Sequence, residues 1–117
     1  MNTIAQLDPQ IVWKNFYSLT QIPRPSKFEN EAAQFICDFG KNLGLESFRD
    51  EIGNVIIRKP ATPGMEDRMG IILQAHVDMV PQKNNDVEHD FKKDPIKPRI
   101  VDNMVYATGT TLGADNG

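Results

Sequence analysis

His76 stands two residues before Asp78 in the segment Ala75-His76-Val77-Asp78-Met79-Val80-Pro81. In an extended strand, residues i and i+2 point to the same side. Imidazole and carboxylate then emerge together, and the carboxylate can orient the ring and fix its tautomer, as it does for metal-bound histidines. The pair follows the apolar run Ile71-Ile72-Leu73-Gln74-Ala75. That places it at the C-terminal edge of a strand, where open α/β sheets bind ligands. The residues alone leave two readings open: a metal or catalytic role, or a structural His–Asp pair. Asp115, in Gly113-Ala114-Asp115-Asn116-Gly117, is likewise either a turn residue between glycines or a carboxylate ligand. His89 reads as an exposed loop histidine. No Gly-Lys-Ser/Thr ending and no G-x-G-x-x-G run is present, which excludes a phosphate loop of either kind. Cys37 is the sole cysteine, so an intrachain disulfide and a thiolate metal cluster are both excluded. Any metal here must be held by His, Asp and Glu.

The elements that carry these residues follow from spacing. A helix is expected from Asp8 as N-cap and Pro9 as first residue. Val12, Trp13, Phe16 and Leu19 form its core face, and Pro23 and Pro25 end it. A second helix is expected to open at a capping box, Ser26-Lys27-Phe28-Glu29. Phe28, Ala32, Phe35, Phe39 and Leu43 form its apolar stripe, and Gly44 terminates it. Cys37 reads as a small buried hydrophobe on that helix. Strands are expected at Leu45 to Arg49 and Val55 to Arg58, joined through a Gly53-Asn54 turn. A strand at Ile71 to Ala75 is apolar on both sides and therefore covered on both faces. Residues 81 to 98 read as a long loop. A hairpin follows, with Asp102-Asn103 between Arg99-Ile100-Val101 and Met104-Val105-Tyr106.

The sum is an α/β fold with a mostly parallel central sheet flanked by helices. A parallel sheet needs crossover connections, and nothing follows the loop from Thr110 to Asn116 to supply one, so the domain is expected to be incomplete in residues 1–117. Length and composition suit one soluble domain with a usable core: 39% hydrophobic and 25% charged residues. The net charge of −3, without a concentrated basic face, argues against nucleic acid. No apolar run approaches the ~18 residues a membrane span needs. The N-terminus has neither a basic start nor an apolar stretch, so no secretory signal is expected.

Two segments resemble the signatures of the aminoacylase-type di-zinc metallopeptidases. The first is Gln74-Ala75-His76-Val77-Asp78-Met79-Val80-Pro81, and the second is Gly109-Thr110-Thr111-Leu112-Gly113-Ala114-Asp115-Asn116-Gly117. Ile22-Pro23-Arg24-Pro25-Ser26, Gly53 to Thr62, Pro81 to Asp86 and His89 to Ile96 resemble the aminoacyl-histidine (Xaa-His) dipeptidase branch of that family. The resemblance spans essentially the whole sequence, but only the N-terminal portion of such an enzyme's catalytic domain. It implies His76 as a ligand of one zinc, Asp115 as the carboxylate bridging both zincs, and Asp78 as the catalytic-site Asp that clamps the ligand imidazole. A cis peptide at Asp115-Asn116 is a further expectation.

The implied reaction is hydrolysis of Xaa-His and other dipeptides by a two-zinc-activated water, with cobalt or manganese as alternative ions. The family's general-base Glu and remaining ligands are expected beyond Gly117, so residues 1–117 alone are expected to be inactive. The substrate-binding residues are unknown. The resemblance further implies a dipeptide as partner, no nucleic acid or membrane, a homodimer as one option for the full-length protein, and a cytoplasmic location. The alternatives are a related tripeptidase or N-acyl amino acid deacylase, or, in another class, a non-catalytic binding or assembly module.

Overall fold

The computed structural model describes residues 3–113. Helix α1 spans Gln10–Thr20 and helix α2 spans Asn30–Asn42. Strands β1 (Glu46–Arg49) and β2 (Val55–Arg58) form one antiparallel hairpin. Strands β3 (Pro98–Val101) and β4 (Met104–Ala107) form another. A single 3-10 turn at Ile4–Gln6 precedes α1 and packs against it.

The α/β class is the one expected. The mostly parallel central sheet is not found among the described residues, where both two-stranded ladders are antiparallel. The reason is local. Each pair of strands is joined by a tight turn, too short for the crossover that parallel strands require. In the first turn the Asp50 carboxylate accepts from the backbone N–H groups of Ile52, Gly53 and Asn54 and from the Asn54 side chain. Those bonds, the Asn54 amide first, hold its carboxyl below the usual range. Gly53 supplies the positive φ of 105°. In the second turn Asp102 takes the left-handed φ of 53°.

The segment Ile71 to Ala75 also departs from expectation. It joins no ladder among the described residues. Ile71, Ile72 and Leu73 are 80%, 94% and 88% exposed, so the apolar faces predicted to be covered are bare.

Helix boundaries shift as well. Pro9 rather than Asp8 is the N-cap of α1, and its carbonyl accepts from Val12 and Trp13 N–H. Trp13 and Phe16 meet edge-on at 6.0 Å but are only half-buried, and Val12 is exposed. The Ser26–Glu29 capping box does not form. Helix α2 begins at Asn30, and Lys27 adopts φ 75°. The termination is as read: Gly44, at φ 74°, follows the last turn, with Leu45 N–H on Gly40 O and Gly44 N–H on Lys41 O.

The buried face of α2 is Ala32, Ala33, Cys37 and Gly40, while Phe28, Phe35, Phe39 and Leu43 are exposed. Small residues win the inner face because the β1–β2 hairpin lies so close. A Cβ on Gly40 would stand 2.1 Å from Ser47 Oγ and 2.9 Å from Ile57 Cδ1. The sequence stripe of large residues therefore marks the outer side of this helix, not its packed one.

In a helix interior alanine is ordinarily better than glycine by about 1 kcal/mol. At Gly40 the order is expected to reverse. Overpacking costs about 1–3 kcal/mol, so Gly40→Ala should lower the urea midpoint of the intact protein. An unchanged or raised midpoint would show that the hairpin can move away.

Candidate functional site

Met79 is the anchor. It is 3% exposed, its N–H donates to Arg24 O at 3.0 Å, and its carbonyl accepts from Ser26 N–H at 3.3 Å. These bonds make a short parallel bridge between Pro25 and Met79. They bring residues 24–26 alongside the segment that carries His76 and Asp78.

The two expected side chains do meet. His76 Nδ1 lies 2.8 Å from Asp78 Oδ1, and Ser26 Oγ donates to Asp78 Oδ2 at 2.5 Å. The Asp78 carboxyl is held below its ordinary value, first by the Ser26 hydroxyl and then by the His76 ring; slight desolvation opposes them. An ionised carboxylate can only accept. The His76 proton therefore sits on Nδ1, and Nε2 carries the ring's lone pair. The side chains are 51% and 33% exposed, so the pair is open to solvent rather than sealed in a core.

The wiring decides what the trio can do. In a nucleophilic triad the serine gives its proton to the imidazole, and the carboxylate supports the far ring nitrogen. Here the serine hydroxyl donates to the carboxylate itself. Ser26 is thus not activated as a nucleophile. The product of the arrangement is an imidazole held in one tautomer with Nε2 as donor atom, which is what a metal ligand requires.

A second segment is laced beside the first. Thr111 Oγ1 donates to Val80 O at 2.7 Å, and Thr111 N–H to Gln82 O at 2.9 Å. Asn84 N–H donates to Gly109 O at 2.8 Å. The buried Arg24 guanidinium donates from Nη2 to Gly113 O at 3.2 Å. Gly113 has φ 66°, and a Cβ there would come within 3.0 Å of the guanidinium and 3.2 Å of Met79 Cβ. The two sequence signatures are therefore neighbours in space. Asp115 and the Asp115-Asn116 peptide lie outside the described residues. Among those residues no three His, Cys, Asp or Glu side chains gather as a metal shell.

His89 is not the exposed loop residue expected. It is half-buried, edge-on to Phe91 at 4.5 Å, and it lines an open cleft of about 420 Å³ with Ser26, Phe28 and Lys92. Cys37 is buried, as read. Arg24, Ser26 and Thr111 are the positioning contributions that sequence reasoning missed. Arg24 sits between two prolines in an otherwise apolar-to-polar transition, an odd place for a cation, and that was the available signal.

No family model matches the chain. Over all 117 residues it is 54% identical to the cytosol non-specific dipeptidase of Escherichia coli (strain K12), of which it covers 24%. It also matches the crystal structure of aminoacylhistidine dipeptidase from Vibrio alginolyticus with a TM-score of 0.93 and 52% identity, over 97% of this chain and 23% of that one. The chain thus spans about a quarter of the length of these relatives. The resemblance read from the two signatures holds over its whole extent.

The depressed Asp78 carboxyl has a consequence for pH. A carboxyl whose folded pKa lies below its unfolded value stabilises the fold above the unfolded value and loses that contribution as pH falls through the folded one. In metal-free protein Asp78 should titrate below the ordinary 3.8, so the His76–Asp78 pair should stay ionised on the Asp side down to that acidity. Carbon NMR of the Asp78 carboxyl measures it. A midpoint at or above 3.8 would contradict the hydrogen bonding described.

Proposed function

With a chain that matches dipeptidases from end to end, we propose that this protein, in its full length, hydrolyses dipeptides, Xaa-His dipeptides among them. The observation that carries the reading is the 54% identity across every residue of the chain. The geometry supports it at the atoms that matter: an imidazole clamped at Nδ1 by a carboxylate, with Nε2 directed to act as a donor.

The donor chemistry fits a divalent metal. His76 would serve as a ligand through Nε2, Asp78 as the catalytic-site carboxylate that holds the ring, and Asp115 as a bridging ligand. Two ions are proposed, zinc first, with cobalt or manganese also matched to imidazole and carboxylate donors. When bound, such ions supply Lewis-acid polarisation of the scissile carbonyl and of water. This chain's own residues do the positioning. Asp78 fixes the His76 tautomer, and Arg24 holds the Gly113 carbonyl beside Met79. The general base and remaining ligands are proposed to come from residues beyond Gly117.

A cytoplasmic location is proposed with the same support, since the Escherichia coli relative is a cytosol enzyme by name. Among the described residues no helix is long and apolar enough to cross a membrane. The proposed partner is the dipeptide, with no role for nucleic acid or membrane and with a homodimer as the proposed assembly.

The test is a side-by-side assay of the full-length protein on Xaa-His dipeptides, tripeptides and N-acyl amino acids, with and without chelator. Dipeptides should be cleaved fastest, and the activity should vanish on chelation and return with zinc. His76→Ala should reduce turnover at least about 100-fold, since even the partners of metal ligands are worth 10–100-fold. Residues 1–117 alone should show no hydrolysis. Faster cleavage of tripeptides or acyl amino acids would move the protein to a tripeptidase or deacylase. No hydrolysis of any would favour a binding or assembly module.

A further inference from the structure

We infer that Ser26 is a positioning residue of the metal site, acting through Asp78 on His76. The inference deepens the proposed function and rests on it. It starts from a residue that does not do its local job. Ser26 and Glu29 have the sequence of a helix capping box, yet α2 starts at Asn30 and Ser26 caps nothing there. Its hydroxyl instead reaches across 52 positions of sequence to Asp78 Oδ2, at 2.5 Å. That is the short range of a hydroxyl donating to an ionised carboxylate.

Three further observations fix it in that role. The Ser26 backbone is pinned by its N–H on Met79 O, one residue beyond Asp78. The chain turns away at once: Lys27 takes a φ of 75°, and Phe28 N–H closes back on Pro25 O at 2.8 Å. A non-glycine residue at positive φ is strained and persists where surrounding contacts demand it. The alternative acceptor for the hydroxyl, Met79 O, is 3.5 Å away, so the proton goes to Asp78.

The outcome is a carboxylate held at both oxygens. Oδ1 takes the His76 Nδ1 proton and Oδ2 takes the Ser26 proton. Remove the hydroxyl and Asp78 Oδ2 loses the donor that fixes its orientation. The imidazole then loses its fixed aim, and Nε2 with it. Partners of metal-bound histidines act in this way, and removing one typically weakens metal affinity 10–100-fold. Ser26 stands one hydrogen bond further out.

The experiment uses the full-length protein stripped of metal and titrated with zinc alone against a chromophoric chelator. Four forms are compared: the parent, Ser26→Ala, Ser26→Thr and His76→Ala. Thermal unfolding of each metal-free form is measured alongside. The expected result is zinc binding weakened about tenfold in Ser26→Ala and largely restored in Ser26→Thr, which keeps the hydroxyl. On dipeptide, Ser26→Ala should lower kcat with KM little changed. Unchanged zinc affinity in Ser26→Ala, with His76→Ala strongly weakened, overturns the role of Ser26 and leaves the metal site standing. Equal loss in the alanine and threonine variants, tracking a fall in thermal midpoint, makes Ser26 structural and also overturns it. Unchanged affinity in His76→Ala overturns the metal reading itself, and the inference with it.

Discussion

The arrangement depends on the backbone clasp around Met79. One N–H and one carbonyl of this residue are taken by Arg24 and by Ser26. A clasp of two backbone bonds is worth little alone, on the order of 1 kcal/mol per bond. Its effect is geometric. It brings the Ser26 hydroxyl to Asp78, and it sets the Arg24 side chain to reach the Gly113 carbonyl. Met79 and Arg24 are almost fully buried, so their side of the clasp is shielded from water, while Ser26 on the other side is exposed.

Around that point the packing is sparse. The fully buried apolar residues among those described are Ile4, Ala32, Ala33, Cys37, Met79 and Ile96. Four of the six are small or sulfur-containing side chains. The close approach of α2 to the first hairpin, enforced at Gly40, replaces bulk with proximity. The larger apolar surfaces, Phe35, Phe39 and Leu43 on one side and Ile71 to Leu73 on another, face outward. Exposed apolar area on this scale is more than the surface of a monomeric domain ordinarily carries.

Much of the site was legible because it is local. The i, i+2 spacing of His76 and Asp78 brings the two side chains together whether or not a ladder forms, and the 2.8 Å contact followed. The second hairpin, the turn at Gly53-Asn54 and the glycine terminus of α2 were readable from turn chemistry for the same reason, whereas the antiparallel pairing of β1 with β2 was not. What escaped was set at long range. Periodicity marked the phenylalanines of α2 as inner, but nothing in periodicity says that the partner hairpin will come too close for them. The capping box at Ser26 was a sound local reading overruled by a carboxylate 52 residues away. The apolar run at residues 71–75 was read as a covered strand, yet coverage depends on neighbours that the run itself does not encode. Asp115 lies outside the described residues.

The Arg24–Gly113 bond joins points 89 residues apart, and this bears on the order of assembly. Helices and hairpins close small loops and form early, whereas contacts between distant positions must first overcome the entropy of a long loop. Chains emerge from the ribosome at about 5–20 residues per second. Arg24 therefore waits seconds for its acceptor to be synthesised. During that interval both hairpins can form, but the two signature segments have no fixed relation. The joining of the two signature segments is a late product of folding, made by the last part of the chain described rather than by the elements that come first.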